Sequence, residues 1–259
     1  MVEPQAQDER MAGVLAEEKR PSMKEFGAGF LRSMAVGVLP GAVAGLIAGG
    51  VGSRLAMRVM AVTSSATVQG TETEFGATVG EITFEGTLFL LIIGAVLGGA
   101  GGLMFMAIRA LLPWEGWAAG FAFGLLLLAA FGRLIIDPDN FDFDVLDPAA
   151  LAVAMFGAIF VVYGLLLVPL LDRLEPSIRR APAWLWLPLL AITVVPLLLT
   201  GIGSVALLAA ILIGYGVAGF GGWKRLAQSG AAVGAARALV GLIFLLGGWG
   251  VLSATLEIV

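Results

Sequence analysis

Apolar runs separated by short polar segments follow one another along most of the chain and predict a bundle of membrane helices. The runs lie at about 26–62, 87–112, 116–136, 148–171, 184–200, 203–222 and 237–257. A helix needs about 20 apolar residues to cross the hydrocarbon core of a bilayer, and most of the runs reach that length. We therefore predict an all-α polytopic integral membrane protein with about seven transmembrane helices, or six if 184–200 and 203–222 form a re-entrant pair. Residues 26–258 would form a single membrane domain behind a polar cytoplasmic tail of residues 1–25.

Small residues recur at every fourth position of the first apolar run. They are Ser33, Gly37, Gly41, Gly45, Gly49 and Ser53. Residues four apart lie almost above one another on a helix, so these positions form a stripe about 30 Å long that is nearly free of side chains. Such a stripe lets another helix approach backbone to backbone. We therefore predict that the first helix is the central packing element of a glycine-rich, close-packed bundle.

The glycine spacing of the first run recurs in the third run. Gly37, Gly41, Gly45 and Arg54 are matched, 79 residues later in each case, by Gly116, Gly120, Gly124 and Arg133. The second and fourth runs share the frame Gly-Ala-x5-Gly-x11-Pro, over 94–113 and 157–176. Both copies would enter the membrane from the same side. We interpret the pattern as a parallel duplication of a two-helix hairpin, and not as the inverted kind found in many transporters.

The polar segment 63–86 is the longest loop that the pattern predicts. Toward its end, apolar and acidic residues alternate over 81–85, which is the two-residue period of a strand. We predict a small β-hairpin in this loop, lying on the bundle.

Composition limits the chemistry that the chain can perform. The protein is 59% hydrophobic and contains no Cys and no His, which removes thiol nucleophiles, thiolate metal sites and imidazole bases. Its lysines lie outside the apolar runs, which excludes a retinal Schiff base; they are Lys19, Lys24 and Lys224. We predict that the protein is not an enzyme, holds no cofactor and binds no nucleic acid.

Charged residues are divided between alternate loops, which predicts the orientation of the chain. One set of loops is basic, with Arg109, Arg173, Arg179, Arg180, Lys224, Arg225 and Arg237. Basic loops face the cytoplasm of most membrane proteins. Tryptophans that would anchor the same interface are Trp114, Trp117, Trp184, Trp186 and Trp223. We expect a plasma-membrane protein with a cytoplasmic N-terminus and an external C-terminus.

Arg54, Arg58 and Arg133 depart from this distribution, because they fall at the outer ends of the predicted helices. An arginine near the hydrocarbon needs a partner or water. In one interpretation, the three arginines clamp acidic loops onto the bundle through Glu81, Glu85, Asp137 and Asp139. In the other, they form a site for a small anion or a lipid headgroup, because a guanidinium binds phosphate or carboxylate through two parallel hydrogen bonds.

Five aspartates crowd the segment 137–147, and four of them are candidate cation ligands: Asp137, Asp139, Asp142 and Asp144. An EF-hand loop needs ligands at positions 1, 3 and 5, a Gly at position 6 and a Glu at position 12. Neither register of this segment meets that pattern, so we predict no metal site of that type and interpret the segment chiefly as a solvated acidic turn.

Two functional hypotheses follow from these patterns. In the first, the protein is a structural or interaction subunit that binds lipid, another membrane protein or its own copies. In the second, it is a channel or permease for a small anionic solute or a lipid that enters at Arg54, Arg58 and Arg133. The apolar runs contain almost no polar residues from which a path could be built, which favours the first hypothesis.

Overall fold

The computed structural model describes residues 23–63, 83–139, 148–199 and 230–258, and every regular element in these ranges is helical. Helix α1 (Met23–Gly45) continues through a π-helical segment, Leu46–Val51, into α2 (Gly52–Thr63). The other helices are α3 (Phe84–Ile108), α4 (Gly116–Phe131), α5 (Ala149–Arg180), α6 (Leu187–Leu199) and α7 (Gly230–Ile258). Short 3-10 turns lie at Arg109–Leu111, Gly132–Leu134 and Ala183–Trp186.

Several of these helices are long and apolar enough to cross a membrane. In the described residues there are five such stretches: Lys24–Thr63, Phe84–Leu111, Gly116–Leu134, Ala149–Arg180 and Val233–Ile258. A shorter apolar helix covers Ala183–Pro196. The described part of the chain is therefore all-helical and of membrane type. The seven-helix count stays a prediction, because the run predicted at 203–222 lies outside the described residues.

Helix α3 begins at Phe84, three residues before the predicted start, because Thr83 caps it. The backbone of Thr83 is extended, and its hydroxyl oxygen accepts a hydrogen bond from the N–H of Gly86 at 3.1 Å. Threonine is a favourable residue at this position. The strand predicted over 81–85 is therefore wrong for Phe84 and Glu85, which lie in the first helical turn. The remainder of the predicted β-hairpin, up to residue 82, is not among the described residues.

Helices α5 and α7 extend beyond their predicted bounds. Helix α5 does not end at 171 but continues through a polar stretch to Arg180. Leu171 and Ile178 lie on one face of that stretch and are both buried, so tertiary packing keeps it helical. Helix α7 begins at Gly230 and not at 237, and the added turns are rich in alanine, the strongest helix former.

Helices α1 and α3 contact each other through their backbones. A Cβ atom built on Gly45 would lie 2.6 Å from the Cα of Gly98, and one built on Gly41 would lie 2.9 Å from the Cα of Gly102. Carbon atoms in contact are normally about 3.5–4.0 Å apart, so neither position has room for a side chain. Gly41 and Gly45, which belong to the predicted stripe, thus lie where the backbones of the two helices are in contact.

Helices α4 and α5 form a second glycine contact. A Cβ atom on Gly124 would lie 2.8 Å from the Cα of Val161, and one on Gly164 would lie 2.7 Å from the backbone nitrogen of Gly124. A Cβ atom on Gly120 would meet the carbonyl oxygen of Gly164. The second pair of helices therefore also approaches too closely for side chains at these positions.

The two helix pairs are joined through α5, which packs against α1 as well as against α4. The Tyr163 hydroxyl of α5 donates a hydrogen bond to the carbonyl oxygen of Gly98 in α3 at 2.6 Å. Phe123 of α4 is fully buried beside it and packs edge-on against Phe105 of α3, with the ring centroids 5.1 Å apart. Among the described helices, α6 packs on α3 and α1, and α7 packs on α4.

Charged residues mark the two ends of the bundle. The 21 residues from 33 to 53, between Arg32 and Arg54, are all uncharged. So are the 19 residues from 238 to 256, between Arg237 and Glu257. These stretches correspond to about 30 Å of helix, which is the thickness of the hydrocarbon core. We name the two ends the Arg32 end and the Arg54 end.

Candidate functional site

Arg54 lies in the first turn of α2, and its guanidinium rests on the first turn of α3. Its Nη2 atom would lie 2.6 Å from a Cβ atom on Gly86, so the absence of a side chain at residue 86 leaves space for the guanidinium. The same atom is 3.5 Å from the carbonyl oxygen of Thr83, the limit of a hydrogen bond. The Nε atom of Arg54 is buried and has no hydrogen-bond partner in the described part of the chain.

The carbonyl oxygen of Thr83 is already engaged by its own helix. It accepts a hydrogen bond from the N–H of Thr87 at 3.1 Å and a second from the Thr87 hydroxyl at 2.8 Å. Arg54 therefore gains little from this weak third contact. The N-terminus of a helix also carries a partial positive charge and attracts anions. The Arg54 guanidinium and the first turn of α3 thus form a site, the Arg54 corner, in which an unused hydrogen-bond donor lies beside a turn that also carries the carboxylate of Glu85.

The π-helical segment just before α2 is the local feature that sequence reasoning missed. A Cβ atom on Gly50 would lie 3.0 Å from the Cα of Leu91, and one on Gly94 would lie 2.8 Å from the backbone nitrogen of Gly50. A π-helix holds more residues per turn than an α-helix, which changes the direction of every side chain after it. Gly50 directly follows Gly49, a regular member of the four-residue ladder, and this doubled glycine is the sequence signal for the π-helical segment.

Arg58 and Arg133 are both exposed. Arg58 is one turn further along α2. Arg133 is on the 3-10 turn after α4, and the preceding Gly132 packs on Val251 of α7. Residues of α2, of the segment after α4, of α5 and of α7 share an apolar cluster: Ala56, Met60, Ile136, Ala152 and Ala254. The structure therefore places Arg54 beside α3 and Arg133 beside α7.

The acidic candidates have the following positions. Glu85 is exposed in the first turn of α3, and Asp139 is exposed after α4. The carboxylate of Asp137 accepts a hydrogen bond from the N–H of Asp139 at 3.2 Å. Within the described ranges, no ion pair joins these acids to the three arginines, and the ion pair found there, at 2.7 Å, joins Arg179 and Glu175 of α5.

Other acidic candidates cannot be placed. Glu81, Asp142 and Asp144 lie outside the described residues, so the loop clamp and the weak cation site remain predictions. No group of three or more potential metal ligands occurs in the part of the chain that the structure describes.

The interior of the bundle offers few polar groups. Among the described residues, the fully buried polar side chains are those of Thr193 and Tyr163, and both bond within the protein. Two half-buried side chains also have a buried nitrogen without a partner there, the Nε of Arg54 and the Nε1 of Trp186. The Thr193 hydroxyl donates to the carbonyl oxygen of Leu189 at 3.1 Å, and the Tyr163 hydroxyl donates to Gly98. The free donors of Arg54 have the geometry that suits an oxyanion, and the carboxylate of Glu85 lies in the same first turn of α3.

Comparisons of the chain with known protein families, with curated proteins and with solved structures give no match.

Proposed function

We propose that the protein is a non-enzymatic, multi-pass subunit of the plasma membrane with a structural or interaction role. The observation that carries this proposal is the close packing of the described helices: a Cβ atom built on Gly45 would lie 2.6 Å from the Cα of Gly98, and one on Gly124 would lie 2.8 Å from the Cα of Val161, so neither position has room for a side chain. Its partners would be the lipid bilayer, another membrane protein or a second copy of the chain. The full topology in this proposal has seven spans, a cytoplasmic N-terminus and an external C-terminus.

A parallel duplication of the hairpin is part of the same proposal. The close contact between Gly45 and Gly98 in the first hairpin has a counterpart between Gly124 and Val161 in the second. The offsets are 79 residues for the first member of each pair and 63 for the second, the same offsets that relate the glycine patterns of the sequence. Equivalent contacts at equivalent positions support a common origin of the two hairpins.

Reconstitution into lipid vesicles tests the structural role. We expect vesicles that contain the protein to release chloride and phosphate, and to scramble a fluorescent phospholipid, no faster than empty vesicles. Counting of bleaching steps from singly labelled chains should give a fixed stoichiometry, alone or with a co-purified membrane partner. A flux that depends on the protein, or monomers without any partner, would overturn the proposal.

A second candidate function is an anion or lipid-headgroup site at Arg54, the entrance of a channel or permease. The buried, unpartnered Nε of Arg54 beside the N-terminus of α3 favours it. Arg54→Lys retains the charge but loses the planar fork, so it should abolish phosphate binding while the fold is kept. Arg173→Lys, an exposed arginine on α5, is the control. Equal phosphate binding by both variants and the wild type would contradict this function.

A further inference from the structure

Two arginines at the Arg32 end are held in the same way. The Nε–H of Arg32 donates a hydrogen bond to the carbonyl oxygen of Ala181, just after α5, at 3.1 Å. The Nε–H of Arg237, in α7, donates to the carbonyl oxygen of Leu111, after α3, at 3.2 Å. The last carbonyls of a helix lack intrahelical partners, and a cation stabilises their partial negative charge. Each arginine therefore completes the end of a neighbouring helix.

Each of these two hydrogen bonds uses the Nε–H group of its guanidinium and leaves the terminal Nη1 and Nη2 groups available. A guanidinium has five N–H groups in a planar fork, and the carbonyl takes the one on Nε. For Arg32 and Arg237, the terminal Nη1 and Nη2 atoms have no partner among the described residues. Their outer edge offers two parallel N–H groups, the geometry that binds a phosphate bidentately. Because the Nε bond fixes the plane, little conformational entropy is lost on binding.

The surroundings of the two carbonyls are also alike. Arg180 precedes Ala181 and Arg109 precedes Leu111 by two residues, and both arginines are exposed at the surface. Three residues after each carbonyl stands an exposed tryptophan, Trp184 or Trp114, with 68% and 55% of its surface accessible. Tryptophan prefers the boundary between lipid tails and headgroups. A second cation and an aromatic anchor thus accompany each fixed arginine.

The depth of the two arginines in the bundle suits a lipid phosphate. Arg32 and Arg237 both stand at the first charged position beyond an uncharged stretch, of 21 and 19 residues respectively. Each stretch has the length of the hydrocarbon core, so the guanidinium groups lie at the level where phospholipid phosphates begin.

We propose that these residues form two binding sites for the phosphate of anionic phospholipids in the leaflet at the Arg32 end. One site consists of Arg32, Arg180 and Trp184, and the other of Arg237, Arg109 and Trp114. The lipids bind along the junctions of α1 with α5 and of α7 with α3. This inference is independent of the function proposed above.

Lipid retention measured by native mass spectrometry tests the two sites. The purified protein in detergent is titrated with phosphatidylglycerol, with phosphatidylcholine and with glycerol 3-phosphate as a soluble phosphate. We expect two phosphatidylglycerol molecules to remain bound at concentrations where phosphatidylcholine and glycerol 3-phosphate do not. Equal retention of glycerol 3-phosphate would show that the sites take a soluble anion, and the absence of retained lipid would overturn the proposal.

Substitutions of Arg109 and Arg180 separate lipid binding from helix capping. Their side chains do not bond to the carbonyl oxygens of Ala181 and Leu111, which are capped by Arg32 and Arg237. Arg109→Gln and Arg180→Gln should each weaken one site by about tenfold, the value of one charge-assisted hydrogen bond, without a change in unfolding temperature. Arg173→Gln removes the same charge from the same end outside both sites and should leave retention unchanged. If Arg173→Gln lost as much lipid retention as the other two variants, the effect would come from the overall charge of this end and not from the assigned sites, and the proposal would be contradicted.

Discussion

Replacement of Gly45 by leucine tests the backbone contact between α1 and α3. In the structure, a Cβ atom at this position would meet the carbonyl oxygen of Gly94 and would lie 2.6 Å from the Cα of Gly98. Because carbon atoms in contact need about 3.5–4.0 Å, the helices must separate by roughly 1 Å for the Cβ alone. The rest of the leucine side chain then requires several ångströms more.

The expected cost follows from overpacking and from the contacts that depend on the same approach. A misfitted methylene group in a packed core costs about 1–3 kcal/mol, and Gly45→Leu adds several such groups, so we expect at least 3 kcal/mol of destabilisation. Displacement of α3 would also strain the 2.6 Å hydrogen bond from Tyr163 to Gly98. The loss of that bond adds about 1 kcal/mol.

Unfolding in mixed micelles with increasing denaturing detergent, followed by tryptophan fluorescence, measures this free energy. Gly29→Leu is the matched control, since it is the same substitution in the same helix, and a Cβ atom at Gly29 would meet nothing within 4 Å. We expect the control to change stability by less than about 0.5 kcal/mol, as surface substitutions do. Wild-type stability of Gly45→Leu, or equal losses in the two variants, would refute the backbone contact.

Further predictions concern the second hairpin, the buried tyrosine and the topology. Gly124→Leu should destabilise the protein in the same assay by a similar amount, at least about 3 kcal/mol, and a silent substitution would argue against close packing of α4 and α5. Tyr163→Phe should cost about 0.5–1.5 kcal/mol, the value of one hydrogen bond, and an unchanged unfolding curve would contradict the bond to Gly98. An impermeant thiol reagent outside intact cells should label Thr73→Cys and Asn140→Cys but not Ser177→Cys or Ser229→Cys, and labelling of Ser177→Cys would reverse the orientation.

The apolar pattern predicted the existence of the helices better than their ends. The predicted run 148–171 corresponds to α5, yet α5 continues for nine residues more, to Arg180. Hydropathy marks where the lipid ends, whereas a helix ends where its packing and its terminal hydrogen bonds are completed. For α5 these are the burial of Ile178 and the bond from Arg32 to Ala181, a contact between residues 149 positions apart that no local pattern can indicate.

The direction in which the Arg54 side chain leaves its helix could not be predicted either, because it also depends on a tertiary contact. The charge pattern indicated its depth, at the end of the first apolar run. Its direction depends on the π-helical segment Leu46–Val51, because the wider turn changes the phase of all later residues. The segment is in turn fixed by the fit of Gly50 against Leu91, which is a tertiary contact. Depth along a helix is therefore a property of the sequence, whereas direction around it depends on the neighbouring helix.

Because contacts with neighbouring helices fix the position of α1, this helix influences both ends of the bundle. Of the most apolar window in Lys24–Thr63, 67% is buried, compared with 6% in Val233–Ile258, so α1 and α2 lie deeper among the described helices than α7 does. Along the continuous stretch formed by α1, the π-helical segment and α2, Arg32 completes the end of α5, Gly41 and Gly45 contact α3, and Arg54 reaches the first turn of α3. A shift of α1 by one residue would break all of these contacts together. The glycine contacts in the middle therefore hold the arginines at both membrane boundaries in place, since a helix transmits a change of register along its whole length.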